Sequence, residues 1–289
     1  MECFKIDLDL DYEGLNLGGG HRAFMRCYLP SNFNEFSTGR KRPAVIVCPG
    51  GAYKMVSERE GEPIALQYTA ADMAAFVVNY SVAEDAGFPR CLFEALTAVK
   101  TVRENSADWN IDPDQIVILG FSAGGHLAAS AGAFWHTAFV REALGENDLL
   151  KPNGVILGYP VITSGPYAHR GSFHNLIGAD APESLLAQVS LEKQVTDAYP
   201  PTFLWHTGTD DGVPVQNSLL MASALAEHHI LFELHIYPTG IHGLALSDKR
   251  TAALDKEGNY KSIMCEPRPR QWVADSISFL RNSLFTKRL

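Results

Sequence analysis

The sequence predicts an α/β chain: a mostly parallel central sheet with helices on both faces. Two observations carry this expectation. Short, continuous apolar runs rich in β-formers alternate with longer stretches of helical spacing, the pattern of a parallel sheet buried on both sides. The glycine-rich segments also fall just after the predicted strands, where open α/β sheets carry their sites.

In chain order, 22–29 reads as an outer strand, and 43–48 as an apolar strand ending at Pro49-Gly50-Gly51. A further strand covers 74–80. Residues 89–104 show helical spacing, with Leu92, Leu96, Val99 and Val102 on one face. Strand 115–121 leads into a small-residue helix over 122–133. Strands at 154–159 and 202–207, a helix at 214–228 and a strand at 231–237 follow. An amphipathic helix over 270–285 closes the chain, with Trp272, Val273, Ile277, Leu280 and Leu284 inward. The segment 160–200 fits the alternation poorly and is expected to cover the site. No linker stands out, so 1–289 reads as a single domain.

The 289 residues, 46% hydrophobic and 20% charged, are enough to bury a substantial core without disulfides or metal. A net charge of -9 argues against nucleic acid or an anionic membrane as partner. The five cysteines show no CxxC spacing, so neither a disulfide framework nor a structural zinc site is expected. No run of 18 apolar residues occurs, and the N-terminus MECFKIDLDLDYEGL lacks a basic segment followed by an apolar one. The expectation is a cytoplasmic protein without membrane partners; self-association is left open.

Gly120-Phe121-Ser122-Ala123-Gly124 matches G-x-S-x-G between a strand and a helix. Glycines on both sides leave room for a sharp turn that lifts the Ser122 hydroxyl clear of the sheet, and the helix start adds free N–H groups. A serine-capped glycine turn would look the same in isolation. The strand–turn–helix setting favours Ser122 as a nucleophile. Two loops supply candidate oxyanion donors: the N–H groups of Gly51 or Ala52 after the strand 43–48, and that of Ala123 after the serine.

A base should follow the last strand. Gly240-Ile241-His242-Gly243 does, and of ten histidines His242 alone has this order and setting. The acid should end the preceding strand, where Thr209-Asp210-Asp211-Gly212 offers two aspartates. Asp210 is preferred; Asp211 reads as a turn residue and Asp248 is a weaker third choice. Tyr53, Arg59 and Glu60 follow the oxyanion loop and could border substrate, a solvated charged loop being the competing description. His169 and His174 in the cover are weaker contacts; His126 and His206 read as structural.

Together these stretches resemble the BD-FAE-like esterase/lipase group of α/β-hydrolases, which includes acetyl-xylan-esterase-like proteins. The resemblance rests on PGGAY near Gly50, SEREGEPIA, FVVNYSV, GFSAGGHLAAS, HTGTDDGVPVQNS and GIHGLAL, and spans roughly 22–284. It implies the α/β-hydrolase fold, carboxylesterase activity on short acyl esters with acetylated sugars as candidates, and Asp210 as the acid two residues before Val213-Pro214. The loop reads Pro-Gly-Gly-Ala where many relatives have His-Gly-Gly-Gly, which leaves open which N–H donates. The expected partner is a small ester, with no metal or organic cofactor. An amidase, formamidase or small-peptide hydrolase would use the same three residues. A non-catalytic binding protein on this fold is the remaining alternative.

Overall fold

The computed structural model describes residues 1–35, 38–145 and 148–285. Its centre is an eight-stranded sheet: β1 Glu2–Asp7, β2 Phe24–Leu29, β3 Arg42–Cys48, β4 Ala74–Asn79, β5 Ile111–Phe121, β6 Gly154–Gly158, β7 Thr202–Thr207 and β8 Phe232–Tyr237. The spatial order is β1-β2-β4-β3-β5-β6-β7-β8. Pairings from β4 through β8 are parallel; β1 with β2 and β2 with β4 are antiparallel. This is the α/β-hydrolase fold, with an antiparallel N-terminal edge.

Eight α-helices flank the sheet among the described residues: α1 Glu62–Ala70, α2 Arg90–Glu104, α3 Ser122–Phe134, α4 Ala138–Leu144, α5 Arg170–Ile177, α6 Glu183–Gln188, α7 Gln216–Glu227 and α8 Trp272–Phe279. The two-residue period of the strands sorts the core. Ala44, Ile46, Ile116, Ile118, Val155, Leu157 and Leu204 face a layer formed largely by α2, α3 and α7. Val45, Val47, Val117, Leu119, Ile156, Phe203 and Trp205 face α1 and α8. Continuous apolar runs are what two covered faces require.

Several elements depart from the sequence expectation, among them the short helix α4. β1 was not anticipated: nearly all of it is exposed, so it lacks the burial signature of an inner strand, and its register with β2 holds it. The charged stretch soon after β3 is not all loop. A 3-10 turn, Glu58–Glu60, runs into α1, which starts with a proline in its first turn. The segment 160–200 contains α5, α6 and a 3-10 turn, Leu191–Lys193. It is held by side chains from elsewhere. Asn217 of α7 accepts the N–H groups of Ile162 and Thr163 at 2.8 and 3.1 Å and donates to the Tyr167 carbonyl at 3.0 Å. Val161, Phe173 and Val189 cluster with Val213.

Candidate active site

Ser122 sits where β5 turns into α3, at φ +52°. That left-handed backbone is strained for a residue with a Cβ, by about 1–2 kcal/mol, and such strain concentrates at functional turns. The turn needs its glycines: a Cβ on Gly120 would collide with the Gly124 backbone, and one on Gly124 with the carbonyls of Cys48 and Pro49.

His242 leans over this turn from the loop after β8. Its Nε2 lies 2.8 Å from Ser122 Oγ, and its Nδ1 lies 2.8 and 3.1 Å from the two carboxylate oxygens of Asp210. A carboxylate only accepts, so Nδ1 carries the hydrogen and Nε2 is free to accept the serine hydroxyl. Asp211 does not reach the ring; its Oδ1 accepts the backbone N–H of His242 at 3.0 Å. Asp248 is engaged by Arg250 instead.

Asp210 is 1% exposed at its side chain. Burial pushes its pKa up, but hydrogen bonds from His206, His242 and the Val213 N–H outweigh that and hold the carboxyl well below the usual range. Oδ1 also accepts the N–H of Gly212 at 2.9 Å and of Val213 at 2.8 Å. His206 is a partner that sequence reading missed. Fully buried, it places Nε2 3.0 Å from the Val213 carbonyl and 3.3 Å from Asp210 Oδ2. Because that carbonyl can only accept, Nε2 bears the hydrogen, and Nδ1 accepts the Ser218 hydroxyl at 2.8 Å. The signal in the sequence is a histidine four positions before the aspartate, on the same strand end.

The loop after β3 is pinned through its carbonyls. Pro49 O accepts the Tyr80 hydroxyl at 2.6 Å, Gly50 O the Ser57 N–H at 2.9 Å, and Gly51 O the N–H groups of Lys54 and Met55. Ala52 O accepts Asn175 Nδ2 from α5 at 2.8 Å, and Tyr53 O the Ala83 N–H at 2.8 Å. Gly51, Ala52 and Tyr53 all have positive φ. Neither the Gly51 nor the Ala52 N–H has an acceptor among the described residues. Ala123 lies in the first turn of α3, where N–H groups lack an intrahelical acceptor.

The three residues expected beside the substrate are engaged elsewhere. Tyr53 is 1% exposed, with its hydroxyl 2.8 Å from His126 Nδ1. Arg59 donates to the carbonyls of Gly243 and Thr251. Glu60 is 3% exposed and accepts the Gly50 N–H. Their hydrogen-bonding groups thus serve the protein's own loops. His169 caps α5, with its Nδ1 on Ser172. Burial lowers its pKa, and the neighbouring His242 acts in the same direction.

Among the described residues no group of histidines, cysteines and acids could hold a metal ion, and no helix is long and apolar enough to cross a membrane. The described cysteines are unpaired.

The BD-FAE family model matches residues 25–225. The chain is 39% identical over 211 residues to "Endo-1,4-beta-xylanase B" of Butyrivibrio fibrisolvens, covering 72% of this chain and 33% of that protein. It is 32% identical over 236 residues to the "Acetylxylan esterase" of Xylanibacter ruminicola, covering 79% and 45%. The chain therefore spans less than half the length of these curated relatives. Among solved structures, an acetyl ester-xyloside bifunctional hydrolase from Caldicellulosiruptor lactoaceticus superimposes with a TM-score of 0.78 at 32% identity, over 96% of this chain and 94% of that one. The chain belongs to the BD-FAE family and has the α/β-hydrolase fold of its esterase relatives.

Proposed function

We propose that the protein is a serine carboxylesterase for short acyl esters, with Ser122 as nucleophile, His242 as general base and Asp210 as the acid that orients it. The observation that carries this reading is the hydrogen-bonded series Asp210–His242–Ser122 beside unclaimed N–H groups of two loops.

Ser122 Oγ attacks the ester carbonyl carbon while its proton passes to His242 Nε2. The buried Asp210 carboxylate stabilises the resulting imidazolium. The carbonyl oxygen becomes an oxyanion facing the N–H groups of Ala123 and of Gly51 or Ala52. Each such donor contributes about 3 kcal/mol to the transition state. The tetrahedral intermediate collapses, and the alcohol leaves with the proton from His242. Water then attacks acyl-Ser122, His242 takes its proton, and the carboxylic acid departs as Ser122 is restored. The chemistry proposed here calls on no metal or organic cofactor.

Acetylated carbohydrate is the favoured substrate class, supported by the names of the acetylxylan esterase and acetyl ester-xyloside hydrolase relatives. The test is hydrolysis of p-nitrophenyl acetate and of acetylated xylo-oligosaccharide by wild type and Ser122→Ala. Turnover of both by wild type and of neither by the variant is expected. Turnover by the variant at the wild-type rate would refute the assignment of Ser122. Release of p-nitrophenol without deacetylation of the sugar would refute the carbohydrate assignment.

A further inference from the structure

The 3-10 turn Glu58–Glu60 places a nearly fully buried carboxyl behind the oxyanion loop. Burying such a group is costly unless hydrogen bonds satisfy it. Here both oxygens are used, and in different directions. Oε2 accepts the Gly50 N–H at 2.8 Å, while Oε1 accepts the Tyr159 hydroxyl at 2.7 Å. The same tyrosine oxygen accepts the N–H of Ala245, three positions past His242, at 3.0 Å. The Tyr159 ring stands edge-on to the imidazole, with centroids 5.1 Å apart and planes at 74°. The neighbouring Arg59 holds the Gly243 carbonyl, so consecutive side chains of one turn reach both catalytic loops.

The Pro49–Gly50 peptide is thereby fixed at both ends, its oxygen by Tyr80 and its hydrogen by Glu60. Its orientation sets the direction of the following N–H groups, those of Gly51 and Ala52. The fit is tight: a Cβ on Gly50 would lie 2.7 Å from Glu60 Oε2 and 3.0 Å from the Ser122 Cβ. Only one backbone width separates this carboxyl from the nucleophile.

We propose that Glu60 is a positioning residue for the hydrolytic reaction, acting through Gly50 on the oxyanion donors and through Tyr159 on the loop that carries His242. This rests on the serine-esterase reading above. Donors held in place before substrate arrives cost no reorganisation when the oxyanion forms. A displacement of about 1 Å in such a group can lower the rate about 100-fold.

The test compares Glu60→Gln, Tyr159→Phe and the double variant on p-nitrophenyl acetate, with thermal unfolding measured alongside. Glu60→Gln keeps the shape, but it has one accepting oxygen where the carboxylate uses two, so the Gly50 N–H or the Tyr159 hydroxyl faces an NH2 that cannot accept. Each single variant is expected to lower kcat about 10- to 100-fold with KM within about twofold, the signature of an interaction expressed in the transition state. The double variant should be no slower than the slower single one, because both act on one network. A kcat for Glu60→Gln within twofold of wild type, with or without a fall in Tm, would overturn the proposal, as would independent multiplication of the two losses. If Glu60→Gln does not fold, Tyr159→Phe, which removes a single oxygen, decides by the same kcat criterion. A wild type that neither turns over the ester nor reacts with a fluorophosphonate would instead defeat the serine-esterase reading.

Discussion

The acid side and the oxyanion side of the proposed site are built in opposite ways. Around Asp210 the holding groups come from its own neighbourhood: the N–H groups of Gly212 and Val213, and His206 four residues earlier. Around the oxyanion loop many come from far along the chain. Tyr80 reaches Pro49, Asn175 reaches Ala52, and Tyr159 reaches Glu60 across 99 positions. The contacts that hold the Asp210 carboxylate are mostly local in sequence. Those on the other side join residues that only the tertiary structure brings together.

That contrast can be tested, starting with the largest effect. Ser122→Ala should lower kcat by about 10^6-fold while leaving the unfolding midpoint near wild type, as for loss of a nucleophile in other serine hydrolases. Asp210→Asn should lower kcat by about 10^4-fold, by disturbing the imidazole tautomer. Asp211→Asn should have a far smaller effect, because that side chain holds only the His242 backbone N–H. Equal losses would assign the acid role wrongly. Asn175→Ala removes the link between α5 and the Ala52 carbonyl. It should lower kcat about tenfold with little change in stability, in line with the loss of about one hydrogen bond. An unchanged kcat would mean that the loop holds its shape without the cover.

The two sides should also differ toward acid. His126 joins α3 to the oxyanion side: Nδ1 receives the Tyr53 hydroxyl and Nε2 donates to the Val189 carbonyl at 2.8 Å. Burial lowers its pKa from 6.5 to about 4. The unfolded chain then takes up this proton first as pH falls. The contribution of a neutral His126 is full above pH 6.5 and is lost as pH falls toward 4, by about 3 kcal/mol in total. His126→Gln can keep both hydrogen bonds without titrating. Urea unfolding at pH 7 and pH 4.5 should show a smaller acid loss in this variant. An identical loss would place the acid sensitivity elsewhere.

The same division explains what was legible in the sequence. Ser122, Asp210 and His242 stand in short motifs whose local geometry follows from their neighbours, and the strands under them announce themselves by apolar runs. The parallel core was readable for that reason. β1 was not, because an exposed edge strand has no burial pattern to display. The roles of Glu60 and Tyr159 were hidden differently. In sequence Glu60 belongs to a charged stretch, Ser57-Glu58-Arg59-Glu60-Gly61-Glu62, that looks solvated. Only the packing of Tyr159 and the oxyanion loop around it turns one of those charges inward. His206 was half legible, its spacing from Asp210 being plain and its ring orientation not.

The reactive identity of Ser122 is the point on which the rest depends. The most direct measurement is peptide-level mass spectrometry after treatment with a fluorophosphonate until esterase activity is lost. One phosphonyl group per chain, carried on Ser122 and absent when His242 is replaced by alanine, is the expected result. Loss of activity with the label on another residue, or full activity with Ser122 completely labelled, would contradict it.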